Sequence, residues 1–335
     1  MNALKYITLV VPTYRRQSYL SRLVHFYNHY PVQLLIVDGT ETNSWSGVKQ
    51  AASNIRYFHL PGESIYKRVD FAMIRVETPF CAWLGDDEFQ LPSGLARSAD
   101  ILLKRNDVVS SIGSCVGFNV TISGVRAGSV YGYTSKEFSS FLPQRIEEYF
   151  LHYSPSMAYA LWRSEHLIKA SSLSSSMDWS CGSLGEWIQA FCGLSLGNHV
   201  IHGEVQWLRS DENPPQQSQL NRSIQINQWW RESIYETERQ ALIKRCESFL
   251  KKHLSCDKSY ALALVEMAFE FKVFSEQQNR GLQVLGLQPQ KSYNRNYSQS
   301  LSKVLNASSP NPPCDEEIAM LIKSICMPYK KVLNP

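Results

Sequence analysis

Tyr6-Ile7-Thr8-Leu9-Val10-Val11-Pro12-Thr13-Tyr14, then Arg15-Arg16-Gln17-Ser18, then Tyr19-Leu20-Ser21-Arg22-Leu23-Val24-His25-Phe26-Tyr27, then Val32-Gln33-Leu34-Leu35-Ile36-Val37-Asp38-Gly39-Thr40 is the stretch that decides the fold. An apolar run, a polar turn, a segment of helical periodicity and a second apolar run ending in Asp-Gly make a strand-helix-strand unit. Such a unit builds a parallel sheet. Ligands of these sheets bind at the carboxyl ends of the strands. A third short strand, Ile55 to Leu60, stops at Pro61-Gly62, and a helix from Ile65 to Val76 carries Lys67, Arg68 and Arg75.

The fourth strand runs through Cys81-Ala82-Trp83-Leu84 straight into Gly85-Asp86-Asp87-Glu88-Phe89. Repulsion and desolvation exclude three consecutive carboxylates from a core unless a cation compensates, so they belong at the edge of the sheet. A hard divalent ion is the natural compensator. Mg2+ or Mn2+ held by one or two carboxylates completes its shell with water and substrate phosphates, which points to a nucleotide-diphosphate site. The same run also reads as a solvated acidic turn ahead of the helix after Leu91-Pro92-Ser93. Only the strand order upstream favours the metal.

With Val10-Val11-Pro12-Thr13-Tyr14-Arg15-Arg16, Val37-Asp38-Gly39-Thr40, Val76-Glu77-Thr78-Pro79-Phe80 and Gly85-Asp86-Asp87-Glu88-Phe89 in this order, roughly the first two-thirds of the chain resembles the family 2 type glycosyltransferases of GT-A fold, in their bacterial, soluble, inverting branch. The resemblance implies an α/β fold: a mixed, mainly parallel sheet flanked by helices, with a C-terminal helical appendage. It implies that Pro12, Tyr14 and Asp38 line the nucleotide base pocket and that Lys67 and Arg68 face the diphosphate. Asp86 and Asp87 would meet the nucleotide-sugar, and Asp86, Asp87 and Glu88 the metal. Two positions depart from the pattern. Glu88 stands where the family has Asp, which leaves open whether Asp87 or Glu88 is the principal ligand, and Gly39 stands where many relatives carry a second acid.

An inverting transferase needs a carboxylate on the acceptor side to take the hydroxyl proton as that oxygen attacks the anomeric carbon. The family places it at a helix start well downstream of the acidic motif. Gly185-Glu186-Trp187 matches that location with Trp where relatives have Asp, so Glu186 is the candidate base and Asp178 the reserve; stabilising the helix N-terminus is the competing role for Glu186. Many GT-A enzymes add a downstream histidine to the metal shell. His199 and His202 open a strand-like segment and project to opposite faces, so one of them at most reaches a given metal; His202 is taken as that ligand, against the commoner role of a core histidine. His152 reads as a loop histidine. Gln206-Trp207-Leu208-Arg209-Ser210 matches the Gln-x-x-Arg-Trp motif of processive transferases only in part, with Ser in place of Trp.

The chain of 335 residues, 44% hydrophobic and 19% charged, suffices for one large domain with an appendage. The expected division is a transferase domain over 1–212, with a nucleotide-sugar half to about 92 and an acceptor half over 93–212, and a mostly helical region over 218–335. Net charge of +4 without a basic stripe argues against nucleic acid. Eight cysteines without C-x-x-C spacing read as buried thiols, and the sequence shows neither a leader pattern nor a long apolar run, so a cytoplasmic chain is expected. Ser171 to Ser180 reads as a Ser-rich loop, Asp211 to Gln217 as a linker and Gly281 to Pro313 as loop. The helices after residue 224 would cover the chain's own core, cover the acceptor cleft, pair two copies, or meet the inner face of a membrane through Trp229, Trp230, Lys251 and Lys252.

The function these features imply is metal-dependent transfer, with Mn2+ or Mg2+, of a sugar from a nucleotide-sugar donor to a glycan or lipid-linked glycan in surface polysaccharide synthesis. The alternatives are a sugar-nucleotide nucleotidyltransferase, disfavoured because Val11-Pro12-Thr13-Tyr14 has no glycine for a phosphate loop, and a catalytically inactive glycan-binding relative.

Overall fold

The computed structural model describes residues 2–42, 45–47, 52–131, 135–212, 224–284 and 297–329. Strands β1 (Ile7–Thr13), β2 (Gln33–Asp38), β3 (Ile55–His59) and β4 (Phe80–Trp83) form the parallel centre of the sheet in the order β4-β1-β2-β3. Helix α1 (Gln17–Tyr27) makes the first crossover and α2 (Ile65–Met73), capped by the Ser64 side chain, makes the next. After the short β5 (Phe89–Gln90) and α3 (Pro92–Lys104), with Pro at its first turn, the sheet becomes mixed. Here β6 (Val108–Thr121), β7 (Gly124–Ser129), β8 (Lys136–Glu137), β9 (Leu161–Arg163) and β10 (Asn198–Ser210) extend it; β9 is antiparallel to both β4 and β6, and β10 is parallel to β6. The expected mixed sheet with a parallel centre flanked by helices is the observed fold.

Successive residues of the central strands face opposite cores. Leu9, Val11, Leu34 and Ile36 pack with α1 and α3 on one side. Val10, Leu35 and Val37 pack on the other with α2, α4 (Leu142–Phe150), α5 (Ser164–Ser174) and α6 (Leu184–Leu196). Strands buried on both faces explain the near-continuous apolar runs of the sequence.

The C-terminal part serves both faces. Helices α7 (Ile226–Arg231), α8 (Glu236–Leu254) and α9 (Lys258–Val284) cover the α6 side, with Trp187 stacked on Phe269 at 3.8 Å and Trp230 on the far side of the same ring at 4.2 Å. Trp229 is fully buried and the Trp230 indole donates to Glu270, so this pair covers the chain's own core. The chain then returns to the opposite face through β11 (Gln299–Ser300), α10 (Leu301–Ser308) and α11 (Asp315–Ile325), the last packing on α1.

Two expected loops are corrected. Ser171–Ser174 ends α5, because Ser171 and Ser174 are buried and the Ser174 hydroxyl bonds back to the Ser171 carbonyl. Leu301–Ser308 is helical, because Leu301, Val304 and Leu305 repeat at helical spacing and are buried. The linker residues 213–217, the boundary at 218 and residues 285–296 of the expected loop lie outside the described residues. No helix among the described residues is long and apolar enough to cross a membrane.

Arg22 of α1 is fully buried and ties these layers together. Its guanidinium donates to the Glu212 carboxylate just beyond β10 at 2.7 Å and to the Asp87 carbonyl oxygen, and it lies over the rings of Tyr19, Phe89 and Phe118. Removing one partner of a buried ion pair typically costs about 3–5 kcal/mol. Arg22→Leu is therefore expected to lower the melting temperature by roughly 5–15 °C, and Glu212→Leu added to it is expected to recover much of the loss, read by thermal unfolding.

Candidate functional site

Thr13 and Asp38 end β1 and β2 side by side in register, at the carboxyl edge where a ligand is expected. Asp38 is fully buried. One carboxylate oxygen accepts from the Thr40 amide (2.8 Å) and hydroxyl (2.6 Å), and the other from the Tyr57 hydroxyl (2.8 Å). Beneath it lies Arg68, which donates to the Thr13 carbonyl, at 3.5 Å to Val37 and at 3.1 Å to Glu63. Burial pulls its pKa down, and the charges of Asp38 and Asp86 hold it up. Gly39 permits this arrangement, since a Cβ there would stand 2.8 Å from the Arg68 Nε.

Asp38 and Arg68 are thus buried together as the foundation of the edge. Pro12 and Tyr14 lie partly exposed above them. The Tyr14 hydroxyl donates to Glu41, and Arg15 binds the same carboxylate through two nitrogens, at 3.1 and 2.9 Å, closing the loops after β1 and β2 on each other. Hydrogen bonds from Arg15 and Tyr14 hold the Glu41 carboxyl down to about 2. Lys67 points away, paired with Glu63 in solvent.

The acidic turn follows β4. Asp86 is buried; its carboxylate accepts from the Thr13 hydroxyl at 2.7 Å and from Arg16 Nη1 at 2.9 Å. The same nitrogen lies 3.0 Å from Asp87 Oδ2. Burial and then the Asp87 charge push the Asp86 carboxyl up to about 6. Glu88 turns the other way, packs over Gly85 and accepts from the Trp207 indole N–H of β10 at 2.9 Å. Burial, then the charge of Asp87, push it up to about 8.

As arranged, these side chains do not fit a divalent ion: a guanidinium nitrogen stands between Asp86 and Asp87, and Glu88 is engaged with an indole on β10. No group of three or more His, Cys, Asp or Glu among the described residues is disposed to hold a metal. His202 is not brought to the turn. It is buried, with Nδ1 on Glu204 at 2.9 Å and Nε2 on Ser98 at 3.0 Å and Gln206 at 3.3 Å, so both ring nitrogens are committed to the packing of β10 on α3.

Beside the acidic turn lies an aromatic stack that sequence reasoning missed. Trp207 is sandwiched by Tyr159 (3.9 Å, 14°) and Tyr131 (5.5 Å, 13°), and Arg209 lies over the Tyr131 ring. Glu186, at the start of α6, accepts from the Tyr153 hydroxyl at 3.0 Å, and Lys272 of α9 sits 3.5 Å over the Tyr153 ring. Burial raises the Glu186 pKa, opposed by the Tyr153 hydrogen bond and the charges of Lys272 and Arg209. Tyr159 feels the charges of both Glu88 and Glu186, so the stack is near both the acidic turn and Glu186. Asp178 is exposed in the α5–α6 connection, and His152 is exposed beyond α4. The period of two along β10 puts Trp207 and Arg209 on one face, a signal present in the sequence; Lys272 gave none.

No protein-family model and no curated protein matches the chain. Among solved structures, residues 1–349 of S. aureus TarS superpose over 82% of this chain and 91% of that one, at TM-score 0.46 and 13% identity. The same fragment in complex with UDP-GlcNAc gives TM-score 0.47 at 13% identity over the same shares, and in complex with UDP 0.43 at 15%, covering 97% of this chain and 90% of that one. Likeness this distant bears on neither family nor activity, and the chemistry has to come from the side chains.

Because the folded pKa of Glu88 lies above its ordinary 4.5, the protein takes up a proton there on folding, and the stability this gives is lost as pH rises from about 4.5 to about 8. Glu88→Gln abolishes that dependence. Its stability relative to wild type is expected to climb with pH across this window, by up to about 1.4 kcal/mol per unit, in denaturant unfolding at pH 5, 6.5 and 8.

Proposed function

We propose that this chain is an inverting glycosyltransferase of the family 2 GT-A type, moving a sugar from a nucleoside-diphosphate donor to a glycan or lipid-linked glycan acceptor. The observation that carries this reading is the convergence at one sheet edge of Thr13, Asp38 and Asp86, with the stack held by Glu88 through Trp207 and Tyr159 near the carboxylate of Glu186. The nucleotide lies over the ends of β1 and β2, beside Pro12 and Tyr14, above the Asp38–Arg68 foundation. The flat stack of Tyr131, Trp207 and Tyr159 offers apolar faces to sugar rings, with Arg209 beside it for hydroxyls or acidic substituents.

In the reaction, the acceptor hydroxyl oxygen bonds to the anomeric carbon as the bond from that carbon to the diphosphate oxygen breaks. The hydroxyl proton passes to Glu186, and the diphosphate leaves with the bonding pair. Burial raises the basicity of Glu186, while the Tyr153 hydroxyl and Lys272 keep enough of it ionised to act. Tyr153 and Lys272 position Glu186 and tune its basicity.

A hydrolysis screen over UDP-, GDP- and dTDP-sugars, with the anomeric configuration of the product read by NMR, tests the reading; turnover of none of them, or of a CMP-sugar alone, overturns it. Glu186→Gln keeps shape and hydrogen bonding but removes basicity. Turnover is expected to fall roughly a hundredfold or more with donor KM near wild type, and Asp178→Asn to do much less.

A further inference from the structure

We propose that Arg16 is the resident counter-cation of the acidic turn, standing where a divalent ion would stand, so that the site takes a nucleoside diphosphate without metal. The inference rests on the donor-site reading above and on one geometric fact: a single nitrogen, Nη1, lies 2.9 Å from Asp86 Oδ1 and 3.0 Å from Asp87 Oδ2. That point between two carboxylate oxygens is the one a bridging cation would take.

The guanidinium is held there. Arg16 is the residue on which α1 begins, its carbonyl accepting the amide of Tyr19 at 3.0 Å, and its side chain is only 15% exposed. The second oxygen of Asp86 is bound to Thr13, so the carboxylate is fixed from both sides. A six-coordinate Mg2+ or Mn2+ requires oxygens near 2.1 Å around it, and it could bridge these two acids only by expelling the guanidinium from a largely buried position. With Arg16 in place, an arriving diphosphate does not meet two bare carboxylates. It meets a delocalised, permanently charged group whose planar donors suit phosphate oxygens.

Calorimetry with UDP, GDP and dTDP, in EDTA and in Mn2+, tests this together with the Mn2+ EPR signal of the protein alone and with nucleotide. The wild type is expected to bind its preferred nucleoside diphosphate with the same Kd within about twofold in both conditions and to leave the free Mn2+ signal undiminished. Arg16→Ala is expected to lose metal-free binding at least tenfold and to gain Mn2+ binding at the vacated Asp86–Asp87 pair. Arg16→Lys, which keeps the charge, is expected to fall between the two. Nucleotide binding by the wild type only when Mn2+ is present, or loss of the Mn2+ signal on adding wild-type protein, overturns the inference and leaves the donor-site reading standing. Binding of no nucleoside diphosphate in either condition overturns both.

Discussion

The carboxylate of Asp86, buried at the end of β4 and held by a hydroxyl from β1 and a guanidinium from the start of α1, is the contact on which the carboxyl edge depends. Charge cannot be retired from water here without compensation, and three arginines supply it in three ways. Arg16 answers the side chains of Asp86 and Asp87. Arg22 answers Glu212 and the turn's own backbone at Asp87. Arg68 answers the carbonyl ends of β1 and β2 and lies near Asp38. The carboxyl edge is therefore anchored from both cores at once, since Arg22 comes from the α1 face and Arg68 from the α2 face.

The same logic joins the C-terminal helices to the chemistry. Phe269 fills the space between Trp187 of α6 and Trp230 of α7, which fixes α9 against the helix that begins with the candidate base. One turn further along α9, Lys272 is buried over the Tyr153 ring, and Tyr153 holds Glu186. Packing and electrostatics thus share one helix: Phe269 sets where Lys272 stands, and Lys272 opposes the rise that burial imposes on the Glu186 pKa.

Local pattern was enough for the parallel unit, the strand leading into the acids and the helix beginning near Glu186, because each is written in contiguous residues with a period of two or 3.6. Partners far apart in sequence were not legible. Nothing in Arg15-Arg16 distinguishes the residue that binds Glu41 in solvent from the one that binds Asp86 in the site. The difference is made by the backbone, which turns through a positive φ of 57° at Arg15 and directs the two side chains apart. His202 misled for a related reason: strand alternation said that it faces one side, but only the packing of α3 shows that this side is interior and holds Ser98 and Gln206. Asp38, expected at the nucleotide base, is enclosed by its neighbour Thr40 and by Tyr57, which reaches it only when β3 joins β2.

Glu88, which stands where the family has Asp, reaches across to β10. The acids on either side of Asp87 differ: Asp86, between a hydroxyl and a guanidinium, is pushed up only to about 6, whereas Glu88, with an indole for partner, is pushed up to about 8. A neutral carboxyl suits its place, since it packs over Gly85, takes the Trp207 N–H and adds no third charge to Asp86 and Asp87. The extra methylene is what carries the carboxyl across to β10; an aspartate would fall short of the indole. The longer side chain thus exchanges a place in a charged cluster for a hydrogen bond that fixes Trp207, and with it the stack of Tyr131 and Tyr159.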